Sequence, residues 1–105
     1  MSHAEWARRA ELDLQDIYLW IARRDGRRTT ARKIVREIRE QCDEYAAAYA
    51  QGFVLGTARP DLGELSRVFT YKRWVIVFRP IDNGIEVQRV IDGSRDFSRI
   101  FWEQP

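Results

Sequence analysis

The stretch Ser66–Asp96, SRVFTYKRWVIVFRPIDNGIEVQRVIDGSRD, decides the fold. It predicts three short strands, Ser66–Thr70, Trp74–Pro80 and Ile85–Ile91. Asp82-Asn83-Gly84 joins the last two, and Asn-Gly between apolar runs is a strong hairpin signal because both residues tolerate positive φ. Trp74-Val75-Ile76-Val77-Phe78 is apolar at every position, the pattern of a strand covered on both faces. In the third strand Ile85, Val87 and Ile91 share a face by alternation, and Arg89 falls in the same register. An arginine among core positions requires one of two things. Either its stem packs while its head reaches a carboxylate, or a bulge re-aims it. Asp92-Gly93-Ser94 then turns the chain, and Arg95–Trp102 ends it as a short helix or tail.

Everything N-terminal to this stretch reads as its cover. Ser2–Trp6 has the length of an edge strand. From Ala7 the apolar residues fall at Ala7, Ala10, Leu14, Ile17 and Ile21, one face of an amphipathic helix, with Arg9, Asp13, Asp16 and Arg23 off that stripe. Tyr18, Leu19 and Trp20 widen the apolar surface beyond what one interface needs, which points to a second neighbour or a partner chain. Asp25-Gly26 stops the helix, glycine suiting the left-handed position past a C-terminus. Thr29 or Thr30 is expected to cap a second helix. Its stripe is Ala31, Ile34, Val35, Ile38, Cys42, Tyr45 and Tyr49, and Arg36–Glu40 and Arg39–Asp43 form i, i+4 pairs on its other face. Two such helices joined by about five residues predict an antiparallel hairpin. Gln51–Glu64, with Gly52, Gly56, Pro60 and Gly63, reads as a loop whose Phe53, Val54 and Leu55 need burial under the sheet edge. The expected fold is therefore α+β: an N-terminal α-helical hairpin packed on a small, mainly antiparallel β-sheet, in the order short β-α-α-β-β-β with a short C-terminal helix.

A length of 105 residues and a hydrophobic content of 45% predict a single domain, 1–105, with a real core. No apolar run reaches the roughly 18 residues of a membrane span, and no signal-peptide-like segment opens the chain, so a cytoplasmic protein is expected. A lone cysteine, Cys42, excludes an internal disulfide and reads as a buried, inert thiol. The one histidine, His3, offers no zinc-ligand spacing, and no metal or cofactor is expected. Arg23, Arg24, Arg27, Arg28, Arg32 and Lys33 crowd into eleven residues. That cluster is either a solvated turn or a surface for an acidic protein or a phosphate backbone.

The order of elements and the wording of several segments resemble the RelE/ParE toxin superfamily of bacterial toxin–antitoxin modules. Ala10-Glu-Leu-Asp-Leu-Gln-Asp-Ile17 is similar to the family's A-x-x-D-L-x-x-I. Arg59-Pro-Asp-Leu-Gly63 precedes the first long strand, and Arg67 lies within it. Val75-Ile-Val-Phe-Arg79 resembles V-I-x-Y-R. Ile85-Glu-Val-x-Arg-Val90 leading into Gly93-Ser-Arg-Asp96 resembles I-E-I-x-R-V-x-H-G-x-R-D, with Asp92 standing where many relatives carry histidine. The resemblance spans about residues 7 to 101, and it rests on the order and spacing of the segments together.

The resemblance implies a toxin neutralised by a cognate antitoxin, a ParD-like, ribbon-helix-helix DNA-binding protein whose C-terminal segment winds over the toxin in a hetero-oligomer. Two mechanisms occur in the superfamily. RelE-like members cleave mRNA on the ribosome, and ParE-like members poison DNA gyrase. Metal-free RNA cleavage needs an acid, a base and cations around the phosphorane. Cations are present in Arg67, Lys72, Arg73, Arg89 and Arg95, but acid–base groups are scarce: Asp92 replaces histidine, and Phe97–Trp102 contains no tyrosine or histidine. Tyr71 could substitute only if the 70–73 turn folds over the sheet. The leading expectation is thus a ParE-like toxin that inhibits or poisons DNA gyrase, with the DNA-cleaving gyrase subunit as target, by binding and without catalytic residues. Arg67, Arg73, Arg95, Phe101 and Trp102 are the candidate target contacts, and Tyr18, Leu19 and Trp20 the candidate antitoxin contacts. Arg89, Asp92 and Asp96 make a charged corner, where Arg89 and Arg95 have a structural role if they pair with Asp92 or Asp96. The alternatives are a RelE-like ribosome-dependent mRNA endonuclease and a non-toxic member that only binds antitoxin.

Overall fold

The structure, a computed structural model, describes residues 3–94, and of Asp25 only the backbone. The elements run β1 (Glu5–Trp6), α1 (Arg8–Asp25), α2 (Arg28–Ala50), β2 (Thr57–Ala58), β3 (Arg67–Tyr71), β4 (Trp74–Ile81) and β5 (Gly84–Asp92). They build a five-stranded sheet ordered β1-β5-β4-β3-β2, antiparallel except where β1 runs parallel to β5. This is the expected α+β arrangement, with Glu5–Trp6 as the edge strand. The expected C-terminal helix and the candidate contacts Arg95, Asp96, Phe101 and Trp102 lie outside the described residues.

The helical hairpin covers one face of the sheet. Ala10, Leu14, Ile17 and Ile21 of α1 and Ala31, Ile38, Cys42 and Ala46 of α2 are buried in one cluster with Phe69, Trp74, Ile76, Phe78, Ile85, Val87 and Val90. Tyr45 stacks on Phe69 with ring centroids 3.8 Å apart, and Tyr49 meets Phe78 edge-on. Val75 and Val77 are buried outside that cluster, so all five residues Trp74–Phe78 are covered, as their unbroken apolarity predicts. Burial pushes the Cys42 thiol up to about 12, which keeps it protonated and unreactive.

Several local expectations change. The helices are linked by Gly26 and Arg27 alone, and Gly26 takes the left-handed C-cap with φ 62°. Arg27, not Thr29 or Thr30, is the N-cap of α2, and no side chain caps it. Arg39 crosses to Glu11 of α1 in a two-bonded pair at 3.0 and 3.1 Å instead of meeting Asp43, whose carboxylate accepts the Ala4 N–H at 2.9 Å. The β4–β5 turn places its positive φ on Asn83, at 63°. Gly84 opens β5 without a positive φ, and an added Cβ there would make only ordinary contact, 3.6 Å from the Ala46 Cβ.

The 51–64 loop contains β2, which pairs with Arg67 and Val68. Phe53 and Val54 are 60% and 69% exposed, contrary to the expected burial. The cause lies in the backbone. The Tyr49 hydroxyl accepts the Leu55 N–H at 3.1 Å, and Arg67 donates to the Leu55 and Gly56 carbonyls at 2.9 and 2.8 Å. These side chains hold the main chain of residues 55 and 56, leaving the apolar side chains before it in solvent.

Candidate functional site: the corner between α1 and the β3–β4 turn

The register of β5 makes the corner. Val77 pairs with Arg89 while Phe78 pairs with Val87, so Gln88 is the extra residue of a bulge. The bulge shifts the alternation by one position. Val87 and Val90 both stand opposite helix-facing residues, Phe78 and Ile76, and Ile91 moves to the other face, opposite Val75. Ile85, Val87 and Ile91 therefore do not share a face. Gln88 accepts a hydrogen bond from the Ser66 hydroxyl at 2.8 Å.

Both remedies foreseen for Arg89 operate, but its partner is on α1. Its guanidinium donates to Asp13 through Nε at 2.8 Å and Nη2 at 3.1 Å, and both side chains are 6% exposed. The same carboxylate accepts the Val90 N–H at 2.9 Å, and Arg9 stands 3.8 Å away. Asp13 thus ties α1 to β5 immediately after the bulge. The described carboxylate partner of Arg89 is thus Asp13, buried beside it, rather than Asp92; Asp96, the other expected partner, lies outside the described residues. Nothing in the helix periodicity marks Asp13 as buried, although it is the one of the two aspartates in the Ala10–Ile17 segment that falls at the D of A-x-x-D-L-x-x-I.

Asp92 pairs with Arg73, the last residue of the β3–β4 turn. Its other oxygen accepts the Ser94 N–H at 3.0 Å and the Ser94 hydroxyl at 2.9 Å. Burial alone would raise the carboxyl, but the Ser94 amide, the Arg73 guanidinium and the Ser94 hydroxyl outweigh it and hold it below its ordinary value. Gly93 donates to the Arg73 carbonyl at 2.8 Å, and a Cβ there would lie 3.0 Å from that oxygen and 3.1 Å from Val75 Cγ2. Glycine at this position avoids a tight contact and does not serve a positive φ.

Arg73 lies 4.8 Å from the Trp20 ring centroid and 5.3 Å from that of Trp74, and the two rings meet at 89° with centroids 6.2 Å apart. Arg24 flanks Trp20 on a further side at 5.0 Å. Together Asp16, Trp20, Arg73, Trp74, Arg89 and Asp92 help line a cleft of about 410 Å³. Trp20, 42% exposed, also lines a second hollow together with Leu19, 45% exposed, Arg23 and Arg24. Tyr18 instead packs against the core.

The candidate residues separate accordingly. Arg73, Arg89, Asp92 and Trp20 come together, while Arg67 sits at the far end of the β3–β4 hairpin with its guanidinium spent on the 55–56 carbonyls. Tyr71 does not fold toward the corner. Its hydroxyl donates to Glu37 of α2 at 2.8 Å, and that bond is the main cause raising the phenol above its usual range. Sequence reasoning missed Asp13 as a member of the corner. Among the described residues no group of three or more metal-ligating side chains occurs. The arrangement offers a bonded network of charges and two tryptophans around an open cleft, a surface fitted to recognition.

Comparison with known proteins bears on the family and the fold. Residues 4–97 match the family described as the ParE toxin of the type II toxin–antitoxin system, parDE. Among solved structures, the chromosomal ParDE toxin–antitoxin system from P. aeruginosa superposes with a TM-score of 0.69 at 26% identity, covering 88% of this chain and 96% of that one. No curated protein sequence matches significantly.

Proposed function

We propose, from the premise that this chain belongs to the ParE toxin family of type II toxin–antitoxin systems, that it arrests growth by binding and poisoning DNA gyrase in the cytoplasm and is neutralised by a cognate antitoxin. The observation that carries the binding mechanism is the state of the corner. Arg89 is closed on Asp13 and Arg73 on Asp92, while Tyr71 is turned away from the corner onto Glu37. A ribonuclease needs a base and an acid that exchange protons near neutral pH. Asp92 is held ionised and Tyr71 protonated, each away from that range. Such groups serve as fixed charges and anchors.

The antitoxin reading rests on exposed Leu19 and Trp20 beside Arg23 and Arg24. That combination suits an amphipathic segment bearing apolar anchors and carboxylates, since aromatic and arginine side chains dominate interface energetics. The target reading is tested by inducing the protein in cells and following DNA breaks, supercoiling and mRNA integrity. Double-strand breaks with intact mRNA are expected. Cleavage of ribosome-bound mRNA by the purified protein would overturn the proposal, and induction without growth arrest would leave antitoxin binding as its only role.

A further inference from the structure

We propose that the tip of the α1–α2 hairpin is a docking surface for the phosphate backbone of duplex DNA, so that the toxin itself holds DNA. Arg23, Arg24, Arg27, Arg28, Arg32 and Lys33 are all exposed there. Asp25 is the single carboxylate in those eleven residues, within a chain whose net charge is only +2.

The way the chain treats its other cations sets this cluster apart. Arg36, Arg39, Arg59, Arg73, Arg79 and Arg89 each hold a carboxylate of the fold. None of the six tip residues makes an ion pair with a described carboxylate. Among the described residues, most cations outside this tip meet a carboxylate within 4 Å, and those of the tip do not.

The placement is also unfavourable for the helix. Arg28 and Arg32 stand in the first turns of α2, which has no acidic residue in its first turn and no capping side chain. The N-terminal end of a helix carries positive partial charge, so cations there oppose the helix field. A solvated turn gains nothing from that arrangement, whereas an anion laid across the tip reverses its sign.

Shape distinguishes phosphate from an acidic peptide. The turn faces open space at Gly26: apart from its two chain neighbours, no heavy atom lies within 4 Å of where a Gly26 Cβ would be. A peptide needs an apolar pocket for its anchors, and the nearby apolar side chains, Leu19 and Trp20, share a hollow with Arg23 and Arg24, whereas Arg27, Arg28, Arg32 and Lys33 do not line it and stand free of such anchors. Five of the six cations are arginines, whose planar fork binds phosphate oxygens in pairs. A projecting arginine-rich knuckle fits a polyanion with regularly spaced phosphates.

The test uses the purified full-length protein and a short labelled duplex, followed by anisotropy across a salt titration without gyrase or antitoxin, so it can fail independently of the gyrase reading. Binding should weaken linearly in a plot of log affinity against log salt, with a slope near −0.9 for each phosphate contact. The triple variant Arg27→Gln/Arg28→Gln/Arg32→Gln should flatten that slope by about two to three units. A control with the same loss of charge elsewhere, Arg8→Gln/Arg36→Gln/Arg79→Gln, should leave it almost unchanged. Circular dichroism checks that both variants fold. The proposal is overturned if the native protein does not bind the duplex, if both triples weaken binding equally, or if poly-glutamate displaces the duplex at matched charge concentration.

Discussion

Asp13 shows how much one side chain can hold. It is buried, it takes two bonds from Arg89, and it accepts the amide of the residue after Arg89. Removing one partner of a buried pair strands the other charge, at a cost of about 3–5 kcal/mol. Asp13→Ala is therefore expected to lower the unfolding free energy by that amount in urea titrations. The double variant Asp13→Leu/Arg89→Met should recover most of it, but not all. The Val90 N–H would still lack an acceptor, worth about 1–3 kcal/mol when buried. A double variant as unstable as the single one would show that packing, not charge, dominates the site.

Asp92 has the opposite exposure to solvent pH. Because its carboxyl is held below the ordinary 3.8, the contact with Arg73 contributes stability above that value and is lost as pH falls through the depressed one. Arg73 lies against both Trp20 and Trp74. Acid titration should thus change tryptophan emission below about pH 4, before global unfolding. Asp92→Asn should remove that early step.

At the scale of elements, the β3–β4 turn and the end of β5 are held together through Gly93. Gly93→Ala places a methyl 3.0 Å from the Arg73 carbonyl, so the turn must move. Overpacking of this kind costs about 1–3 kcal/mol. The readout is a lower thermal midpoint together with loss of the acid-dependent tryptophan signal, since Arg73 would leave its place against the two rings. The elements themselves were legible in the chain. Helical stripes at spacings of three and four, the uniformly apolar Trp74–Phe78 and the Asn-Gly turn each placed an element within a residue or two. What escaped was one-residue detail. The bulge at Gln88 changes no composition, and β2 is two residues in a glycine-rich loop, too short to leave a periodic signal.

For the molecule as a whole, binding and stability are linked. An antitoxin that binds only the folded toxin raises its stability by about 2.7 kcal/mol at one hundred times the dissociation constant. The unfolding midpoint of the toxin should therefore rise with antitoxin concentration. Leu19→Ala/Trp20→Ala should need more antitoxin for the same rise, with little change in the midpoint of the free protein. An unchanged concentration dependence would place the antitoxin elsewhere, for instance on the exposed Phe53 and Val54.

The chain alone determined the helices, the central strand and the helical hairpin over an antiparallel sheet, because periodicity is a local property written in consecutive residues, and its segments resemble those of the toxin family to which it belongs. Only the tertiary structure decided how the charged corner is wired. Asp13 and Arg89 are separated by 76 positions, and Arg73 and Asp92 by 19. A carboxylate off the apolar stripe looks solvated until the bulge in β5 brings a guanidinium and an orphan amide to it. Pairing between distant charges depends on register, and a register shifted by a single bulged residue leaves no trace in the amino-acid pattern.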